Sequence, residues 1–300
     1  MDDRRGSKAA EVRPGQAEQP TRLAPGLYVV ATPIGNLRDI TLRALEVLRA
    51  ADLVLCEDTR VTHKLLERHQ LSPKLAAYHD HNAASVRPRV LAELAKGAAV
   101  ALVSDAGTPL VSDPGFKLVE AAIEAGHRVY PIPGASAALA ALVAAGLPSD
   151  RFFFEGFLPP KSAARRTRLS ELRGIPATLI FYESGPRLAE SLADMAATLG
   201  ARDGAVCREL TKAFEEIRRG TLAALAAHYE EAGAPKGEIV VVVAPPGEAA
   251  PLDNEDIERK IKAALKKLSL KDASAAIAAE TGLPRKEIYA RALALAGKKK

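Results

Sequence analysis

The 300-residue chain has no tryptophan, two cysteines and two methionines, and aromatic residues make up 4% of it. Each scarcity excludes something. Cys56 and Cys207 stand far apart and lack ligand spacing. That argues against a disulfide framework or a zinc pair and fits small buried apolar residues in a reducing compartment. So few aromatic rings leave no broad platform on which nucleobases would stack. No apolar run reaches the roughly 18 residues of a membrane-crossing helix. Residues 1–20 are charged and lack the apolar centre of a signal peptide, so a cytoplasmic protein without a membrane partner is expected. No loop matches G-x-G-x-x-G or G-x-x-x-x-G-K-[ST], which sets aside the standard dinucleotide fingerprint and the P-loop. No ligand cluster predicts a metal.

What is present is an alternation of apolar runs and periodic segments. Residues 27–31 (LYVVA), 53–56 (LVLC), 101–103 (ALV) and 129–132 (VYPI) read as strands. Segments with helical spacing follow them, so a largely parallel sheet with helical crossovers is predicted. Three of these strands run into loops of small or turn-forming residues at 32–36 (TPIGN), 104–109 (SDAGTP) and 133–137 (PGASA). Such loops let a ligand close to the backbone, and the crevice outside the carboxyl ends of strands is where open α/β sheets bind ligands. A helix capped near Asp39 or Thr41 is expected after the first loop.

Gly146-Leu147-Pro148 marks a boundary, and Pro245-Pro246-Gly247 marks a second. Between them a second α/β unit is predicted, with strands opening at Phe152-Phe153-Phe154, at Thr178–Tyr182, at Ala205–Arg208 and at Ile239–Ala244. The predicted organisation is a disordered tail over 1–24, α/β domains over 25–147 and 148–247, and a basic helical extension over 253–300. In that extension Ile257, Ile261, Leu265 and Leu268 fall on one helical face, and Thr281-Gly282-Leu283-Pro284 separates two further helices in a helix-turn-helix pattern.

Charge is unevenly placed. The segment from Asp253 to Lys300 has 12 Lys/Arg against seven Asp/Glu, which accounts for the whole net charge of +5. A basic appendage on a neutral body suggests a polyanionic partner. Lys161, Arg165, Arg166 and Arg168 form a second basic cluster, and Arg285 and Lys286 open the last helix; all six are candidate phosphate contacts. A solvated helix face would have the same composition.

The segments LYVVATPIGNLRDITLRALEVL, LCEDTR, SDAGTPLVSDPG, PIPGASAALAAL and FYESGPRL occur in this order between Leu27 and Leu188. Together they resemble the 16S ribosomal RNA (cytidine-2′-O)-methyltransferases of the tetrapyrrole-methylase superfamily. The resemblance runs to about Pro246, and the basic extension is similar to the C-terminal region of that group. It implies two α/β domains with an S-adenosylmethionine cleft between them. It also implies methylation of a cytidine ribose in the decoding region of 16S ribosomal RNA, naked or within the small ribosomal subunit, and a homodimer. Carried over loop by loop, it implies that Pro33 and Gly35, then Asp105, Ala106, Gly107, Thr108 and Leu110, then Ser136 and Ala137, and finally Tyr182 and Glu183 face the cofactor. Leu210-Thr211 is a looser match to a last contact. Relatives often have Gly-Asp-Pro where this chain has Gly107-Thr108-Pro109.

Methyl transfer from a sulfonium is an in-line displacement needing alignment and exclusion of water rather than a metal. A ribose hydroxyl is a poor nucleophile at neutral pH, so either a general base takes its proton, with Glu57, Asp58, His79, His81 and Glu183 as candidates and none assigned, or the proton leaves late to water with no dedicated base. Asp58 has an equally natural role as a helix cap. Two other classes fit the residues: a precorrin-type small-molecule methyltransferase, which would not need the basic appendage, and a non-catalytic ligand sensor that binds nucleic acid.

Overall fold

In a computed structural model of the protein, residues 22–247, 254–266, 268–281 and 283–297 are described. The expected N-terminal tail lies, except for residues 22–24, outside them. The chain divides after Pro245 into two compact units.

The first unit holds two five-stranded sheets. One is built from β1 (Gly26–Val30), β2 (Leu53–Cys56), β3 (Leu75–Ala77), β4 (Ala99–Val103) and β5 (Val129–Ile132), in the order β3-β2-β4-β1-β5. All its pairings are parallel. The crossovers run through α1 (Leu42–Ala50), α2 (Thr59–Arg68), α3 (Ala83–Ala95) and α4 (Phe116–Glu124), with α5 (Ala137–Ala145) following β5. β4 is buried at all five positions, as a central strand covered on both faces must be. Thr41 caps α1 by accepting from the Ala44 amide at 3.1 Å, and Asp58 caps α2 through the Arg60 amide at 2.8 Å. β3 has only three residues, too few to show a period in the sequence.

The other sheet is built from β6 (Phe152–Phe157), β7 (Thr178–Ser184), β8 (Asp203–Arg208), β9 (Glu216–Thr221) and β10 (Glu238–Val243), in the order β6-β7-β10-β8-β9. Only β6 and β7 pair in parallel; the rest of the ladder is antiparallel. Helices α6 (Ser162–Leu172), α7 (Leu188–Leu199) and α8 (Leu222–Ala232) accompany it. Leu169, Leu179, Phe181, Leu192, Met195, Leu225 and Val241 are fully or almost fully buried in its main core. On another side Ile180, Ala205, Cys207, Val240 and Val242 pack with Ala138, Ala141 and Leu142 of α5, so the last helix of one sheet covers the next.

β9 reads EIRRGT, a segment that no apolar alternation marks as a strand. It is a charged edge with no inward apolar row, held by its ladder to β8 and by Arg219, which donates to the Ala144 and Ala145 carbonyls. The opening of β6 is also less buried than its three phenylalanines suggest: Phe152 is 46% exposed, while Phe153 and Phe154 are partly buried.

The second unit contains α9 (Asn254–Ala264), α10 (Leu270–Thr281) and α11 (Arg285–Gly297). Ile257, Ile261, Ile277, Ile288 and Ala292 form its core. Leu268, placed on the apolar face by spacing, is instead 46% exposed because α9 ends at Ala264 and the helical period no longer governs its direction.

Candidate active site

The three small-residue loops are joined by hydrogen bonds at the carboxyl ends of β1, β4 and β5. Thr32 and Gly107 exchange both backbone hydrogen bonds, at 2.8 and 3.1 Å, tying the first loop to the second. The Thr32 hydroxyl also donates to the Ser104 carbonyl at 3.1 Å. Thr108 Oγ1 donates to the Ala135 carbonyl at 3.2 Å, tying the second loop to the third. Gly107 has φ +83°, and a Cβ there would lie 3.3 Å from Ile34 Cγ2. The conformation and the close approach both call for glycine.

These loops and the ends of β7, β8 and β10 enclose a cavity of about 400 Å³, in the range of small-molecule sites. Of the expected cofactor-facing residues, Asp105, Ala106, Gly107, Thr108, Ser136, Ala137, Tyr182 and Glu183 line it. Pro33, Gly35 and Leu110 do not. In the first loop the lining residue is Ile34. Pro33 is buried, and Gly35 makes room for the alkyl stem of Lys212, whose Cγ would be 2.5 Å from a Cβ at that position. Leu110 packs into the core around β4 instead.

Glu183 lines the cavity, yet its carboxylate is engaged elsewhere. One oxygen accepts from Ser191 Oγ at 2.5 Å, the other from the Ser184 amide at 2.8 Å, and Arg187 Nε lies 3.3 Å away. The side chain is 1% exposed. This carboxylate fastens β7 to α7 and is not disposed to take a proton from a substrate, which corrects its candidacy as a base. Asp58 is likewise corrected. Its carboxylate caps α2 and pairs with Arg60 at 2.6 Å, which lowers its pKa to about 2 and leaves it a poor proton acceptor.

Glu57 is not a lining residue; burial first, then the charges of Asp105 and Asp80, raise its pKa. His79 and His81 are in edge contact at 5.9 Å outside the cavity. Asp105 receives the Asp58 amide on Oδ1 at 3.0 Å, so one carboxylate oxygen orients the loop after β2. Among the described residues no group of three His, Cys, Asp or Glu side chains is placed to hold a metal. Cys207 lines the cavity as a buried free thiol, its pKa pushed up to about 11 by burial.

Several lining residues were not singled out from the sequence: Val111, Ser112, Asp113, Phe157, Gly237 and Glu238. Asp113 stands within the segment SDPG, where its neighbours Ser112 and Pro114 signal a turn but not which way the carboxylate faces. Tyr182 is set between Phe154 and Phe157, in edge contacts at 5.0 and 5.6 Å.

The basic cluster on α6 divides. Arg165 is completely buried: Nε donates to Asp194 Oδ2 at 2.7 Å, Nη2 pairs with Glu190 at 3.1 Å and Nη1 reaches the Pro160 carbonyl. It cannot be an RNA contact, because it is the internal tie between α6 and α7. Arg168 is held by Glu155 and Glu171, each at 2.6 Å. Lys161 and Arg166 remain on the surface, as do Arg285 and Lys286 in the second unit.

Comparison with known proteins agrees with this architecture. The model of the tetrapyrrole (corrin/porphyrin) methylases matches residues 26–226, and that of the RsmI C-terminal HTH domain matches residues 251–296. Ribosomal RNA small subunit methyltransferase I of Mesorhizobium japonicum is 56% identical over 94% of this chain and 96% of its own length. The protein of the same name from Escherichia coli O157:H7 is 47% identical over 89% and 94%. Diphthine synthase shares the fold, with a TM-score of 0.56 at 18% identity over 73% of this chain and 89% of that one. So does uroporphyrin-III C-methyl transferase from Thermus thermophilus, solved with S-adenyl homocysteine, at a TM-score of 0.52 and 18% identity over 72% and 96%. The chain belongs to the tetrapyrrole methylase family, among the methyltransferases named ribosomal RNA small subunit methyltransferase I.

Proposed function

We propose that the protein transfers a methyl group from S-adenosylmethionine to the ribose 2′-hydroxyl of a cytidine in the decoding region of 16S ribosomal RNA. The observation that carries this reading is the cavity built where the three interlocked loops meet the ends of β7 and β10. Its chemistry suits the cofactor. Loop backbone at Ala106, Gly107 and Ser136–Ala137 lies in the wall without bulky side chains, as adenine and ribose recognition by N–H and C=O groups requires. Asp105 places a carboxylate in the wall, favourable for a cationic sulfonium.

When bound, the cofactor supplies an already activated methyl group. The chain's task is to align the acceptor oxygen with it, exclude water and dispose of a proton. Thr108 and Thr32 lock the loops so that alignment does not have to be created on binding. Tyr182, braced by Phe154 and Phe157, closes one side. RNA recognition rests on the exposed Lys161 and Arg166 and on the basic extension with Arg285 and Lys286. A folded RNA would present one splayed-out nucleotide to the cavity.

A homodimer working in the cytoplasm completes the proposal. Leu139 and Val143, one turn apart on α5, are 50% and 78% exposed, and an apolar face of that kind suits a second copy. Light scattering of the purified protein tests it. None of the described helices is long and apolar enough to cross a membrane.

The decisive experiment offers labelled S-adenosylmethionine with purified small subunits, naked 16S RNA or a precorrin. Label in RNA that blocks alkaline cleavage after one cytidine is expected. Label in the precorrin alone, or cofactor binding without transfer to any of the three, overturns the proposal.

A further inference from the structure

Four carboxylates belong to residues lining the cavity, and three are committed to protein partners. Glu183 is held by Ser191, Ser184 and Arg187. Glu238 pairs with Lys212 at 2.8 Å. Asp105 receives the Asp58 amide. Asp113 differs. Among the described residues its carboxylate has no ion-pair partner, the nearby Ser104 hydroxyl donates to the Ala106 and Gly107 carbonyls, and the charged groups that act on it, Glu57 and Asp105, are both acidic. From the second sheet it is faced by the Tyr182 phenol. A partly buried carboxylate with acidic neighbours and no cation is costly to the fold.

The backbone that carries it is also held against its preferences. Leu110 and Ser112 have φ of +73° and +61°, a region that side chains other than glycine seldom occupy. Across from them Gly156, at φ +77° beside the bulge in β6, leaves room for the loop; a Cβ there would lie 2.9 Å from Ser112 Oγ. Two unfavourable backbone residues and a glycine on the facing strand therefore set the position of a single side chain in the cavity wall, and strain of this kind concentrates at functional sites.

Resting on the methyl-transfer reading, we infer that Asp113 is the general base that takes the proton of the acceptor ribose hydroxyl. The hydroxyl oxygen forms its bond to the methyl carbon as the carbon–sulfur bond breaks. The electron pair of that bond stays on sulfur, and the hydroxyl proton passes to an Asp113 carboxylate oxygen. The carboxylate charge and the sulfonium charge disappear together, so the step leaves no net charge in the cavity. Burial and the neighbouring Glu57 raise the Asp113 pKa to about 6, close to where a base acting near neutrality is most effective.

The test compares wild type with Asp113→Asn and Glu57→Gln in single-turnover methyl transfer to purified small subunits, from pH 5 to 9 with saturating cofactor. Cofactor affinity is measured by calorimetry, and the Asp113 carboxyl is titrated by carbon-13 NMR. Wild-type rate should rise with pH along a limb near pH 6, matching the Asp113 titration. Asp113→Asn should lose about 10²–10⁴-fold in rate and lose the limb, with cofactor affinity changed less than about threefold. Glu57→Gln should move the limb to lower pH, since a neighbouring negative charge is gone. Asp113→Asn that keeps its rate, or that loses cofactor affinity as much as rate, overturns the assignment. So does an Asp113 carboxyl that titrates in the ordinary range, whatever the activity. A wild type inactive on subunits strikes instead at the substrate reading.

Discussion

The two walls of the cavity are built differently. The wall from the parallel sheet is made of loops whose backbones bond to one another, Thr32 with Gly107 and Thr108 with Ala135. Its Asp113 has only acidic groups acting on it, and burial together with Glu57, behind the wall, and Asp105 raises its proton affinity. The wall from the mixed sheet is made of strand ends whose acidic side chains are matched by cations, Glu183 by Arg187 and Glu238 by Lys212. Behind it the buried Arg165 joins α6 to α7 through Asp194. Charge is neutralised where the fold needs rigidity and left uncompensated where a cation and a proton are handled.

Breaking a matched pair in the second wall should therefore cost stability first. Asp194→Ala removes the Arg165 partner and strands a guanidinium that has no exposed surface. A loss of about 3–5 kcal/mol in urea unfolding is expected. Removing both members, with Arg165→Met and Asp194→Leu, should recover much of it. A single variant as stable as wild type would show that Glu190 alone satisfies the arginine.

The first wall should break in the opposite sense, losing binding while the fold survives. Gly107→Val puts a branched side chain at φ +83° between Ile34 and the Ala135 carbonyl. Cofactor affinity should fall by about 100-fold or more, roughly 2.7 kcal/mol. Unchanged affinity by calorimetry would remove this loop from the site.

Sequence patterns carried the first wall further than the second. The apolar runs of β1, β2, β4 and β5 and the turn residues after them were legible because a buried parallel strand has few alternatives to an apolar run. β3 was too short to show a period, and β9, charged along an edge, had no apolar row to show. Arg165 looked like its neighbours Lys161 and Arg166 because composition does not reveal that Asp194, 29 residues later, will face it across two helices. Asp113 was visible as a residue but not as a member of the site. Its direction depends on left-handed backbone at Leu110 and Ser112, which no local rule assigns to leucine or serine.

The basic residues left on the surface provide a smaller contrast. Lys161→Glu reverses an exposed charge at the start of the helix that carries Arg165. Stability should stay within about 0.5 kcal/mol, while small-subunit affinity falls by about tenfold at low salt and less at high salt. Removing residues 254–300, which form a separate compact unit with their own core, should weaken small-subunit binding and spare cofactor binding. Equal RNA affinity in the truncated protein would make that unit structural.

The finest test of the contrast is the stability of Asp113→Asn against pH. The folded-state pKa of Asp113 is about 6 against an ordinary 3.8, so between these values the folded protein binds a proton that the unfolded chain does not. Stability from this group is therefore greatest below about pH 4, falls as pH rises through that window, and is at its minimum above pH 6. Asparagine cannot ionise and escapes this loss. The variant should be more stable than wild type at pH 8 by about 1 kcal/mol, after allowance for water around a partly exposed group. The difference should vanish near pH 4. Glu183→Gln, made in the other wall, should behave oppositely and destabilise at pH 8, because there the charge is matched by Arg187. Thermal melts of both variants at the two pH values decide it: if Asp113→Asn melts at or below wild type at pH 8, Asp113 has a compensating partner and the two walls are electrostatically alike.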